Sequence, residues 1–372
     1  MKIVFIGGRD IHQIGGIENY MYNLATQLVR KGHEPIVFCE SDHEGEETVN
    51  GFKVIHHKSP KSVFVCKIWL GLRSTLHTLL HFKDVDMIHY NAWPPAIPAI
   101  YLASLCGKKA LIMGHGHDWQ RTKYGPLQQK LMRIMELLGV RSARYRLMCS
   151  DAQKKYFMDR YGLESTTMPT AINLPDDGTV IKSDILSRFR LSSGKYFLYL
   201  ARLVQDKNPD YLIKAFNCWR PEGYKLVIAG NNPAAPGYVK ELHEAAAGND
   251  DIVFTDAIFG DDKVEILRNA YAFCIPSTIE GLSISLLEAM SYGLPIIASD
   301  IPANREVLED DMAIWVRPEN VEDIVNAYRK SIQEKDWFLQ TAIHNRDKIV
   351  TYYNWESISD RYINVLNDFI GH

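Results

Sequence analysis

The 372-residue sequence is poor in cysteine: six are scattered at positions 39, 66, 106, 149, 218 and 274, with no C-x-x-C pair. This favours free thiols in a reducing compartment over a disulfide frame or a zinc site. No stretch approaches the roughly 20 apolar residues that a bilayer span requires. The opening MKIVFIGG is a short apolar run ending at glycines, read as a first buried strand and not as a signal peptide. A cytoplasmic protein is expected. The glycines of GGRDIHQIGG lack the G-x-G-x-x-G spacing, which removes a nicotinamide-cofactor reading.

Acidic residues are also absent from 58–83, which holds five Lys or Arg, and only Glu136 interrupts the seven cations of 120–146. Residues 1–180 carry 22 Lys+Arg against 17 Asp+Glu, and the remainder 20 against 28, so the halves stand at +5 and −8. Such basic runs are ordinarily solvated faces. Here Leu, Ile, Met and Trp are interleaved with the charges, which also suits contact with anionic lipid head groups and so peripheral attachment to the inner face of a membrane. No nucleic-acid-binding motif accompanies the charge, and no nucleic-acid partner is expected.

The length suffices for two ordinary domains, and strand-like and helix-like segments alternate throughout. KIVFIGG, EPIVFCE, VDMIHYN and KKALIMGHG read as strands, separated by amphipathic stretches such as GIENYMYNLATQLVRKGH. After NLPDDG the pattern restarts with KYFLYLAR, YKLVIAGN, IVFTDAI, AFCIPS and PIIASD. The alternation predicts α/β architecture: two facing doubly wound, Rossmann-like domains with parallel sheets and an interdomain cleft. Residues 1–175, joined by a C-terminal helix over 355–372, form one, and 182–354 the other, with the linker near 174–182.

The most informative stretch is STIEGLSISLLEAMSYGLPIIASD, residues 277–300. TIEGL lies where a buried strand turns into a helix, so backbone N–H groups near Leu282 and Ser283 and the helix dipole favour an anion there. Glu280 is read either as the carboxylate that satisfies that helix end or as a ligand group. Gly281 permits close backbone approach. Glu288 sits among Leu286, Leu287 and Met290, and a half-buried carboxylate needs partners; paired sugar or ribose hydroxyls would serve.

The stretch resembles the signature of the family 4 retaining glycosyltransferases of the GT-B fold, in which two glutamates eight positions apart grip a nucleotide sugar. Leu282 and Ser283 stand where that family usually has a bulky residue and then glycine. YLARLVQDKNPDYLIKAF resembles the family's strand–R-x4-K–helix element, with Arg202 and Lys207 beyond a strand end. IGGIENYMYNLATQLVRKGHE resembles its N-terminal glycine loop, where Gly15 and Gly16 would admit the donor phosphate. MGHGHDWQRTKYG is similar to a bacterial rhamnosyltransferase-like subgroup; the likeness implies His115 facing the donor sugar, with Asp118, Trp119, Arg121 and Lys123 on the acceptor side. His117 and Tyr124, like Trp119, also fit simple loop packing. A metal reading of His115-x-His117 fails because Asp118 is one position early for an H-x-H-x-D-H site. The adjacent His56 and His57 show no ligand spacing and are expected at the surface.

The resemblance implies a retaining enzyme without metal or other cofactor, transferring a sugar from a nucleoside diphosphate to an acceptor hydroxyl. If the basic segments 58–83 and 120–146 meet a membrane, a growing or lipid-linked glycan, as in envelope polysaccharide assembly, is the expected acceptor. Arg202 and Lys207 would neutralise the leaving diphosphate. Glu280 would hold the donor sugar, Glu288 the ribose, and the stretch ending at Ile258 the base. A nucleotide-sugar epimerase or hydrolase could use the same two-domain fold, and a non-catalytic binding protein is a further alternative.

Overall fold

The computed structural model describes residues 1–12, 15–60, 63–116, 125–176, 178 and 180–371, and only the backbone of 63, 64 and 94–96. The chain forms two compact units: Met1–Ala171 with Trp355–His372, and Ile172–Asn354. The passage between them precedes the Pro/Asp/Gly stretch expected to be the linker. Ile172 already belongs to the second unit, because its N–H donates to the Tyr353 carbonyl at 2.9 Å and it bridges to Asn354.

In the first unit, β1 (Lys2–Gly8), β2 (Glu34–Ser41), β3 (Gly45–Val49), β4 (Phe52–Lys58), β5 (Met87–Asn91), β6 (Ala110–Gly114), β7 (Tyr145–Met148) and β8 (Thr166–Thr167) make one sheet. Its order is β3-β4-β2-β1-β5-β6-β7-β8. Every pair is parallel except β3–β4. That exception is a hairpin closed by Asn50 and Gly51, both at positive φ (48° and 87°), as a two-residue turn with the right twist demands. The central strands are apolar and buried on both faces, as expected of a parallel sheet covered by helices.

The helices are α1 (Gly16–Arg30), α2 (Val63–His81), α3 (Trp93–Leu105), α4 (Pro126–Ser142) and α5 (Asp151–Tyr161). The last is capped at both ends, by the Ser150 side chain accepting from Gln153 N–H and by Gly162 in the left-handed region.

Helix α2 turns small and polar residues, together with Cys66 and Leu70, toward the core. Gly71, Ser74, Thr75 and Thr78 face the core, and the Thr75 hydroxyl reaches both the Gly71 carbonyl (2.7 Å) and the Tyr90 hydroxyl (2.6 Å). Its larger residues Val65, Trp69, Leu76 and Leu80 are exposed.

His56 and His57, expected at the surface, are instead buried. They are successive residues of β4 and so point to opposite faces of the sheet. His56 Nε2 lies 2.8 Å from Glu47 and His57 Nδ1 3.4 Å from Glu44, both carboxylates being contributed by the β3 side of the hairpin. Burial holds the His57 ring below its usual pKa.

In the second unit α6 (Ile185–Arg188) precedes β9 (Tyr196–Leu200), α7 (Pro209–Cys218), β10 (Lys225–Ala229), α8 (Pro236–Ala246), β11 (Ile252–Asp256), α9 (Gly260–Arg268) and β12 (Ala272–Ile275). Then come α10 (Ile284–Ser291), β13 (Ile296–Ser299), α11 (Pro302–Val307), β14 (Ala313–Val316), α12 (Val321–Gln333) and α13 (Lys335–Tyr352). The sheet order is β11-β10-β9-β12-β13-β14, parallel throughout. The chain then returns as α14 (Trp355–Gly371), whose Trp355, Ile358, Tyr362 and Leu366 join the core formed by β1, β2 and α1 of the first unit. Two doubly wound α/β units result.

One backbone contact is especially unforgiving. Gly230, just after β10, has φ +156°, and a Cβ there would overlap the carbonyl oxygen of Ala201, just after β9. Gly230→Ala is therefore expected to destabilise the second unit by about 2–4 kcal/mol, through steric overlap and a disfavoured backbone angle. Urea unfolding of the variant beside the parent measures this; an unchanged midpoint contradicts it.

Candidate functional site

In the second unit the strand order reverses between β9 and β12, since the chain leaves β9 for β10 on one side while β12 pairs on the other. The carboxyl ends flanking such a reversal are where doubly wound sheets hold ligands. Arg202 and Lys207 follow β9, and Glu280 follows β12, so the two segments singled out from sequence converge there.

Backbone ties fix the convergence. The Asp206 carbonyl accepts from Thr278 N–H at 3.0 Å and from its hydroxyl at 3.2 Å, while Asn208 Nδ2 donates to the Pro276 carbonyl at 2.9 Å. Ser299 Oγ donates to the Ser277 carbonyl at 2.6 Å from β13. Lys207 Nζ then lies 2.5 Å from Glu280 Oε1, and Ser277 Oγ donates to the same oxygen at 2.8 Å. The Glu280 side chain is only 7% exposed.

The helix end is not satisfied by Glu280: the N-cap of α10 is Ser283, whose hydroxyl accepts from Leu286 N–H at 3.4 Å. Among the described residues Glu280 Oε2 has no hydrogen-bond partner, and the Lys207 ammonium retains donors beyond the one given to Glu280. Gly281 is partly exposed, and Leu282 leans on the core of this unit.

Glu288 repeats the arrangement one helix on. Its Oε1 is 2.7 Å from Lys263 Nζ of α9, and its Oε2 likewise takes no hydrogen bond among the described residues. The sequence reading missed Lys263: a lone lysine on an amphipathic helix carries no distinguishing signal. Ile258 is buried in the core, so only its backbone is available to a ligand.

In the first unit His115 follows β6, and its Nε2–H donates to Asn91 Oδ1, at the end of β5, over 3.1 Å. Tyr20 meets the imidazole edge-on at 5.1 Å between centroids. Burial pushes the His115 pKa down to about 4, and that of fully buried His89, which shares a hydrogen bond of 2.8 Å with the Tyr362 hydroxyl, well below its usual value. Asn91 was also missed, although a polar residue ending a buried strand was a usable signal.

Gly15 precedes α1, but the Glu18 carboxylate occupies the space a side chain at 15 would need, and Glu18 Oε1 accepts from Arg9 N–H at 2.8 Å. A Cβ at Gly16 would meet open space. Asp118, Trp119, Arg121 and Lys123, expected on the acceptor side, lie outside the described residues, as do His117 and Tyr124.

The two neutral histidines carry a pH prediction. Their folded pKa values lie below the ordinary 6.5, so the unfolded chain binds protons first as the pH falls. Stability should be intact above about pH 6.5 and decline toward pH 4, by up to roughly 1.4 kcal/mol per pH unit for each ring. His115→Asn should flatten this decline in unfolding experiments at pH 7.5, 6 and 5; an identical slope contradicts the assignment.

Two family models together take in nearly the whole chain: "Glycosyltransferase Family 4" matches residues 14–175 and "Glycosyl transferases group 1" residues 186–368. An uncharacterized glycosyltransferase of Methanocaldococcus jannaschii is 25% identical over 95% of this chain and 94% of its own length. A GDP-mannose-dependent alpha-(1-6)-phosphatidylinositol monomannoside mannosyltransferase of Mycobacterium tuberculosis is 22% identical over 96% and 94%. In fold, the chain is similar to a sucrose-phosphate synthase of Thermosynechococcus elongatus, with a TM-score of 0.84 and 17% identity over 100% of this chain and 99% of that one. Two Rossmann-like units, each matched by a glycosyltransferase model, identify this chain as a GT-B glycosyltransferase of the group 1 and family 4 type.

Proposed function

We propose that the protein transfers a sugar from a nucleoside-diphosphate donor to an acceptor hydroxyl, with retention and without a metal. The supporting observation is the pairing of Lys207 with Glu280 at the β9/β12 reversal, in the loop after β9 that also carries Arg202. As the glycosidic bond breaks, negative charge gathers on the departing diphosphate. Cations preorganised at a sheet end lower the barrier by meeting that charge where it develops. In this reading Arg202 and Lys207 take the diphosphate, with the glycine loop at Gly15 and Gly16 and the turn at Gly281, Leu282 and Ser283 as further donor contacts. Glu280, clamped by one oxygen, offers the other to sugar hydroxyls, and Glu288 does the same for the ribose. His115, held neutral, hydrogen-bonds a sugar hydroxyl. Family membership favours transfer over the epimerase or hydrolase alternative.

Lys207→Ala should therefore raise the barrier by about 2–4 kcal/mol, as for loss of one preorganised donor to a developing anion, while chelation leaves activity intact. Glu280→Ala should chiefly lower turnover, and Glu288→Ala should weaken binding of the free nucleoside diphosphate. A strict requirement for magnesium or manganese, or equal losses of nucleotide affinity in both glutamate variants, would contradict this assignment.

The acceptor in this proposal is a growing or lipid-linked glycan, reached from the membrane surface. The mycobacterial relative is named for a lipid acceptor. Here the first unit exposes apolar residues on three successive helices, α2 packing on α3 and α3 on α4. They are Val65, Trp69, Leu76 and Leu80 on α2, Tyr101 and Leu105 on α3, and Leu127, Leu131, Ile134 and Leu138 on α4.

Lys130 and Arg141 are exposed on α4, and Lys67 and Arg73 of α2 are engaged with Glu40 and Glu44 at 2.8 and 2.7 Å. The apolar stripes thus weigh more than the α2 charges, as for a helix lying in a lipid interface. No described helix is long and apolar enough to cross a membrane. Sedimentation with anionic vesicles at low salt should recover the protein, and Leu131→Asp with Ile134→Asp should release it. Absence of binding at low salt, or equal recovery of parent and variant, overturns the membrane proposal.

A further inference from the structure

Lys263 pairs with Glu288, and three features distinguish the pair from a casual surface contact. First, the backbone carrying Lys263 is anchored just upstream, and Ile266 and Leu267 of the same helix are buried downstream. Upstream, Ile258 is rooted in the core. At the start of α9, Asp261 accepts from Lys182 N–H at 2.9 Å, and Asp262 accepts from the Ser183 hydroxyl at 2.7 Å and from Arg188 at 2.6 Å. Second, Glu288 projects from α10, whose Leu286, Leu287, Ala289 and Met290 are buried, so the backbone beneath the carboxylate is fixed by packing. Third, the lysine engages only Oε1, leaving Oε2 without a hydrogen bond among the described residues on a side chain that is 23% exposed.

A carboxylate on a flexible stem pays rotamer entropy when it binds a diol; one already fixed by a cation pays less. We propose that Lys263 is a positioning residue for the donor nucleoside, holding one oxygen of Glu288 so that the other is aimed at the 2′ and 3′ hydroxyls of the ribose. The inference rests on reading Glu288 as the ribose ligand. It makes Lys263 a determinant of selectivity for ribonucleotides over their deoxy forms, separate from the cations that meet the diphosphate.

The test is calorimetric titration with UDP, GDP and ADP, followed by the 2′,3′-dideoxy form of whichever binds best. The parent should prefer the ribonucleotide by about tenfold or more, as hydrogen bonds to a charged group are worth. Lys263→Met should reduce that preference to about the level of Glu288→Ala, while affinity for the dideoxy form stays within roughly twofold of the parent. Lys263→Arg should restore most of the preference.

Equal weakening toward both nucleotides would make Lys263 a diphosphate cation, and unchanged values would make the pair incidental; either result overturns the inference. A parent that binds nucleotides without ribose preference sinks the reading of Glu288, and a parent that binds none of them sinks the donor site itself. Each of those failures takes this inference with it, by a route distinguishable from its own.

Discussion

The parallel pairing of β9 with β12 is the constraint on which the second unit turns. It sets side by side two segments that are remote in sequence, and it obliges their following loops to share the carboxyl edge of the sheet. Once there, the loops are joined by a main-chain bond from Thr278 to Asp206 and by side chains of Asn208 and Thr278 that donate to main-chain carbonyls. The geometry of Lys207 and Glu280 is therefore inherited from the sheet, which is the stiffest part of the unit. A site hung on this frame needs little reorganisation when charge develops in it.

The first unit uses the same strand logic to a different chemical end. At the carboxyl ends of β5 and β6 it gathers aromatic and amide groups around neutral imidazoles, where the second unit gathers ion pairs. Desolvation controls protonation in the first case and charge pairing controls orientation in the second. Both follow from what the chain carries at or just beyond the carboxyl end of each strand.

Much of this was legible in the sequence, and the limits of legibility have physical causes. Strands buried on both faces read as continuous apolar runs, so the alternation and both halves could be read directly. The β3 strand could not: Glu46, Glu47 and Thr48 lie at a polar sheet edge, although Asn50–Gly51 is a hairpin signal that went unread. The adjacent histidines of β4 suggested a surface position because pairing with β2 and β3 is invisible in a linear pattern. The glutamate pair stood out by spacing, but its cation partners did not. Which lysine meets which carboxylate depends on strand order, and the cap of α10 fell to Ser283 because a hydroxyl one residue before the helix can accept from its first turn.

The return of α14 to the first unit has a consequence for synthesis. Trp355, Ile358, Tyr362 and Leu366 complete a core whose other members begin at Ile3, so that core lacks these four side chains until residues 355–366 have been made. The second unit, continuous from Ile172 to Asn354, has no such dependence. Domains usually fold in order as the chain emerges from the ribosome. In this chain that order is broken for the first unit, which receives α14 only after the whole of the second unit has been made.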